Sequence, residues 1–188
     1  MILVHFDLET GGLEPHHPTI QLAAVAMDGA SELGAFSVNI AFREADADPE
    51  ALKMNHYDPA AWLEAVPPHI AASKFAAWLR PYQTVQLVSK RTGNPYTVAP
   101  MAGYNALTFD WPRLRALFGT AFLPCSYHVR DVLQRAIFYF DEACEDAPAD
   151  YRLTTVAAHF GIPTDGAHGA LADARMSARV YNAIREEW

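Results

Sequence analysis

The first nine residues, MILVHFDLE, are apolar almost throughout, which is the pattern of a strand covered on both faces. Side chains two apart share a face of a strand, so Ile2, Val4, Phe6 and Leu8 take one side and Leu3, His5, Asp7 and Glu9 the other. Two further apolar runs follow, Thr19 to Met27 (TIQLAAVAM) and Gly34 to Phe42 (GAFSVNIAF), with Asp28-Gly29 as the turn between them. Three consecutive strands with short connections predict an antiparallel meander. The period then changes. Pro67 to Tyr82 reads as a helix, with Ala71, Phe75, Trp78, Leu79 and Tyr82 near one face. Trp111 to Phe118, Asp131 to about Asp141, Leu153 to Phe160 and Gly169 to Glu187 read as further helices, the third of these stopped by Gly161 and Pro163. Thr84 to Ala99 reads as a hairpin around Lys90 to Pro95, and Met101 to Tyr104 and Ser126 to Val129 as short strands. Strands first, then strands alternating with helices, predict an α/β or α+β domain built on a mixed sheet.

Composition narrows the class. A chain of 188 residues, 51% hydrophobic and 19% charged, is expected to form one domain over residues 1–188 with a real core. A net charge of −8 argues against a broad basic surface for coating DNA, so any nucleic-acid partner is held over a small footprint. Cys125 and Cys144 match neither a zinc spacing nor a disulfide framework, which suits a reducing compartment. The apolar runs are too short to span a membrane, and MILVHF is too short for the apolar region of a secretion signal, so the expected location is cytoplasmic. DEACEDAPAD, from Asp141 to Asp150, reads as a solvated acidic loop.

Against this background Asp7 and Glu9 stand out. They lie on one face of a strand about 6.6 Å apart, and at an effective dielectric near 20 their repulsion is on the order of 2.5 kcal/mol. Something positive is expected between them. On the last helix, at 100° per residue, Met176, Ser177, Val180 and Ile184 share the side of Asp173, while Arg175, Arg179, Asn182 and Glu186 lie opposite. Asp173 therefore faces inward and needs either a cation or an arginine from elsewhere. Taken alone, His168 in DGAHGALAD reads as a surface histidine, and Asp110 in GYNALTFDWP and Asp131 in DVLQRA read as helix N-caps.

Together these residues resemble the motifs of the DEDDh 3′–5′ exonuclease superfamily, which includes the proofreading epsilon subunit of bacterial DNA polymerase III, ribonuclease T, oligoribonuclease and exonuclease I. FDLETGGL, with Asp7 and Glu9, is similar to the first motif, GYNALTFD, ending in Asp110, to the second, and HGALADA, with His168 and Asp173, to the third. The motifs keep the superfamily's order from residue 6 to 174. The resemblance implies a ribonuclease H-like α/β fold, a five-stranded mixed sheet with helices on both faces. It implies that Asp7, Glu9, Asp110 and Asp173 hold two Mg²⁺ or Mn²⁺ ions, with His168 as general base. It implies a substrate bound at the 3′ end, with Thr10, Gly11, Leu13 and Asn105 at positions that grip the terminal nucleotide.

Two departures bear on substrate. Gly11 stands where members often carry a second threonine, and Asn105 lies five residues before Asp110 where many have four. Exonuclease I-like members share the longer spacing, which favours single-stranded DNA over the alternative, RNA. The 84–99 hairpin is expected as an insertion, with Lys90 and Arg91 at its tip. Two other classes compete. His5-Phe6-Asp7 spells the His-x-Asp of a non-haem iron facial triad, but that reading leaves Glu9, Asp110 and Asp173 unexplained. A binding module that had lost its chemistry would be expected to lack at least one of the five motif residues, and none is missing.

Overall fold

A computed structural model describes residues 1–143, 147–165 and 169–187. Its main sheet has five strands, β1 (Ile2–Thr10), β2 (Thr19–Asp28), β3 (Ser31–Asn39), β6 (Met101–Gly103) and β7 (Arg130–Asp131), in the order β3-β2-β1-β6-β7. β1, β2 and β3 pair antiparallel as a meander; β6 and β7 are added in parallel on the other side of β1. The sheet is therefore mixed, with β1 at its centre.

The alternation along β1 decides what covers each face. Val4, Phe6 and Leu8, with Leu22, Ala24 and Ala26 of β2, pack against α2 (Pro68–Leu79) and α3 (Asp110–Phe118) through Phe75, Leu79, Leu114 and Phe118. On the other face Leu3 packs with α4 (Val132–Ala143), α5 (Leu153–His159) and α6 (Ala170–Glu187) through Val132, Phe140, Val156, Met176, Val180 and Ile184. Val25 and Met27 of β2 meet Ala174 and Ala178, where small helix residues let α6 lie close to the sheet. Helices thus cover both faces, and the helix bearing Asp173 lies on the face that carries Asp7 and Glu9. None of the helices among the described residues is long and apolar enough to cross a membrane.

Gly103, where β6 ends, shows how tight this assembly is. A Cβ there would sit 2.7 Å from the Ala106 Cβ and 2.8 Å from the Phe6 carbonyl oxygen. Gly103→Ala is expected to destabilise the protein by about 1–3 kcal/mol. The change should appear as a lower urea midpoint at unchanged slope.

Several boundaries differ from the sequence expectation. The third strand is Ser31–Asn39, not Gly34 to Phe42, because the turn at Gly29 (φ 58°) pairs Asp28 directly with Ser31. Ile40 then leaves the sheet to bridge Val66. The expected strand at 126–129 falls instead at Arg130–Asp131, where Gly103 fixes the pairing. A short helix, α1 (Pro49–Met54), was not foreseen; it begins where the Asp48 carboxylate accepts from the Glu50 N–H, and it buries no residue, so no apolar period marks it. The expected hairpin is a separate antiparallel ribbon of β4 (Val85–Val88) and β5 (Pro95–Val98), its turn closed by the Gly93 N–H donating to the Ser89 carbonyl.

Candidate active site

β6 is shorter than β1. It pairs with Val4 and His5 and ends at Gly103, so the last third of β1 has a neighbour on the β2 side alone. This opens a crevice beyond the carboxyl ends of the parallel strands, where ligand sites in open α/β sheets arise. Asp7 and Glu9 project there, and α6 brings Asp173 to them from its first turn. One carboxylate oxygen from each of the three lies within 4.8 Å of the others.

Asp110 completes the set from another direction. It is the first residue of α3, with Phe109 in the cap position, and its Oδ1 accepts the Leu8 N–H at 3.1 Å. The N-cap expectation for Asp110 is thereby corrected: β6 has already ended, the Leu8 amide has no strand partner on that side, and the carboxylate takes it. Asp131 is an N-cap as expected, accepting from the Leu133 and Gln134 N–H groups. Its other oxygen accepts the Leu107 N–H and so holds the turn that leads into Asp110. In that turn Asn105 is exposed at φ 55°, a conformation asparagine tolerates, and accepts the Phe109 N–H through its carbonyl.

Crowded acids in a partly enclosed site resist ionisation. Burial raises Asp7 well above the usual carboxylate range, and the charges of Asp110, Glu9 and Asp173 add to it. Burial, then Asp173, pushes Glu9 up to about 7. Asp110 is pushed up to about 8 chiefly by burial, against the opposing pull of the Leu8 N–H and Arg113. An all-oxygen donor set whose members repel one another suits a hard divalent cation. His5 does not join them. Its ring is fully buried, with Nδ1 3.4 Å from the Ser177 Oγ and its edge against Tyr181, and burial holds its pKa at about 3. The iron-triad alternative finds no support in that arrangement.

The loop after β1 starts at a register break between Glu9 and Thr10. Thr10 is buried, donates its hydroxyl to the Gly12 carbonyl and accepts the Asn55 Nδ2 through its own carbonyl. Gly11 donates to the Pro18 carbonyl, and a Cβ there would sit 2.7 Å from the Ala47 Cβ. Ala47 thus fills the room that a threonine at position 11 would need. Leu13 is 80% exposed. His168 lies outside the described residues.

Two residues that support the site were not foreseen. Arg113 donates to the carbonyls of Phe109 and Leu13 and lies 3.6 Å over the Phe109 ring, tying the loop to α3. Gln21, opposite Glu9 in register, accepts the Ala170 N–H and donates to Asn39, tying β2 to the start of α6. The one signal for Gln21 is a polar residue inside an apolar strand.

No protein-family model and no curated protein matches the chain. Among solved structures it is similar to a zinc-bound form of an E. coli exonuclease I–ssDNA complex, with TM-score 0.76 and 19% identity over 99% of this chain. The fold is shared with part of exonuclease I. Exonuclease I of E. coli with a dA16 oligonucleotide aligns at TM-score 0.76 and 19% identity over 98% of this chain, and a structure of exonuclease I without ligand at 0.74 and 17%. This chain spans about 40% of the length of these exonuclease I chains, 40% to 42% in the three cases. The fold implied by the three sequence motifs is the one found.

Proposed function

We propose that this chain is a metal-dependent 3′–5′ exonuclease that hydrolyses single-stranded DNA to nucleoside 5′-monophosphates. The observation that carries the reading is the convergence of Asp7, Glu9 and Asp173, from segments far apart in sequence, to within 4.8 Å. Asp110 joins them across the Leu8 amide. Exonuclease I structures with bound ssDNA support the substrate class.

In this reading Asp7, Glu9, Asp110 and Asp173 hold two Mg²⁺ or Mn²⁺ ions. The ions, when bound, supply positive charge against the phosphate and lower the barrier to in-line displacement. His168 accepts the proton of the attacking water at an imidazole nitrogen. The water oxygen bonds to phosphorus, the bond from phosphorus to the 3′ oxygen breaks, and the shortened strand keeps a 3′ hydroxyl. The backbone at Thr10 and Gly11, the exposed Leu13 side chain and Asn105 grip the terminal nucleotide.

The test uses 5′-labelled single-stranded DNA, duplex DNA and RNA with Mg²⁺, with Mn²⁺ and with chelator. Stepwise shortening from the 3′ end, strongest on single-stranded DNA and absent with chelator, is the expected result. His168→Ala is expected to lose about 10²- to 10⁴-fold in rate while keeping the thermal shift that Mn²⁺ produces. A ladder from the 5′ end, or undiminished activity in chelator, would overturn the proposal.

A further inference from the structure

One groove among the described residues lies away from the carboxylates. It is an open trough of about 960 Å³ between the β4–β5 ribbon and the chain that follows α3, lined by Val88, Lys90, Arg91, Tyr96, Phe122 and Tyr127 among others. Phe122 and Tyr127 are 63% and 62% exposed, unusual for rings with a core available to them. Tyr96 and Phe122 meet edge to face with centroids 5.8 Å apart, which fixes one wall of the trough. Lys90 and Arg91 stand exposed at the ribbon tip.

The local charge runs against the whole. The chain carries −8, yet residues 83–130 contain Lys90, Arg91, Arg113, Arg115 and Arg130 against a single acid, Asp110, which is buried in the site. A trough combining exposed rings with cations, in an acidic protein, matches the way single strands are held: bases stack on the rings and phosphates meet the cations. An apolar partner helix would need no cations at the rim, and an acidic peptide would leave the rings unused.

Its position fits a strand already engaged elsewhere. α3 begins at Asp110, beside the carboxylates, and ends at Phe118, about 12 Å away along its axis. The chain then brings Phe122 to Tyr96, and Ala99, between β5 and β6, bridges Cys125. Groove and carboxylates therefore lie at opposite ends of α3, whose exposed Arg115 lies between them.

We infer that this trough is a second subsite for single-stranded DNA, holding the strand several nucleotides upstream of the 3′ end under hydrolysis. The inference rests on the nuclease reading for its direction along the strand. It makes the ribbon a device for retaining long substrates, separate from the grip on the last nucleotide.

The test measures binding of fluorescent dT20 and dT2 in chelator by anisotropy, and hydrolysis of both with Mn²⁺, for the full chain. Phe122→Ala with Tyr127→Ala is expected to weaken dT20 binding on the order of tenfold or more. Lys90→Ala with Arg91→Ala, a change confined to exposed side chains, is expected to lower the salt dependence of dT20 binding by about one unit of log–log slope. Both pairs should leave hydrolysis of dT2 at the wild-type rate. Wild-type dT20 affinity and salt slope in both variants would overturn the subsite, as would equal loss on dT2. Tight dT20 binding that needs the rings, in a protein that cleaves neither substrate, would instead sink the nuclease reading and leave the trough as a binding site.

Discussion

Asp7→Ala is expected to abolish release of nucleotides from dT20, lowering kcat by about 10³ or more, while the protein stays folded. Asp7 is the member of the cluster that feels all the others: Asp110, Glu9 and Asp173 each act on it. Its removal takes one carboxylate out of the set within 4.8 Å and leaves Glu9 and Asp173, with Asp110, to hold the proposed cations. The same substitution relieves like-charge crowding, so in chelator near pH 8 the variant should unfold at a higher urea concentration than wild type. Loss of activity together with gain of metal-free stability distinguishes a catalytic deletion from a damaged fold. A variant that retains wild-type kcat with Mn²⁺ would end the carboxylate reading.

The second large effect is on stability against pH. Glu9 and Asp110 hold their protons in the folded protein up to about 7 and about 8, where the ordinary values are 4.5 and 3.8, and Asp7 is raised as well. Between the ordinary and the raised values the folded chain binds protons that the unfolded chain has released, so stability falls as pH rises through that window. Each group in that condition costs about 1.4 kcal/mol per pH unit. His5 acts in the opposite sense. It is held neutral down to about 3 against an ordinary 6.5, so its own contribution to stability falls as pH drops below 6.5. Between the ordinary carboxylate values and 6.5 the three acids outweigh the one histidine, so on these groups the metal-free protein is expected to be most stable near pH 4 and to lose about 1–4 kcal/mol per unit from there to about pH 8. Urea midpoints in chelator across this range check the slope. Saturating Mn²⁺ should flatten or reverse it, because bound cations favour the ionised carboxylates. A midpoint that rises steadily from about pH 6.5 to 8.5 in chelator would contradict the crowded site.

Much of this arrangement is written locally in the chain. The alternation in MILVHFDLE placed Asp7 and Glu9 together, and helix geometry turned Asp173 inward; both hold, because each depends on a single element with a strong period. Asp110 shows where local reading stops. Its surroundings, an acid followed by Trp-Pro, carry every mark of a cap, yet its partner is the Leu8 amide 102 residues earlier. That bond exists because β6 is only three residues long, and nothing within Met101–Gly103 announces where the pairing ends. The roles of Gln21 and Arg113 were missed for the same reason, since each acts on a segment distant in sequence. The two-residue β7 and the helix α1 were missed because one is placed by pairing and the other by a cap, neither leaving an apolar pattern.

The bond from Leu8 to Asp110 gives one carboxylate a second duty. An amide left bare on an open strand invites a foreign strand to add to it, the first step of edge-to-edge aggregation. Here the group proposed to serve chemistry is also the gatekeeper of that edge. Inactive protein intended for trapping a DNA complex is therefore better made at Asp7 than at Asp110, where silencing the site would also uncover the strand.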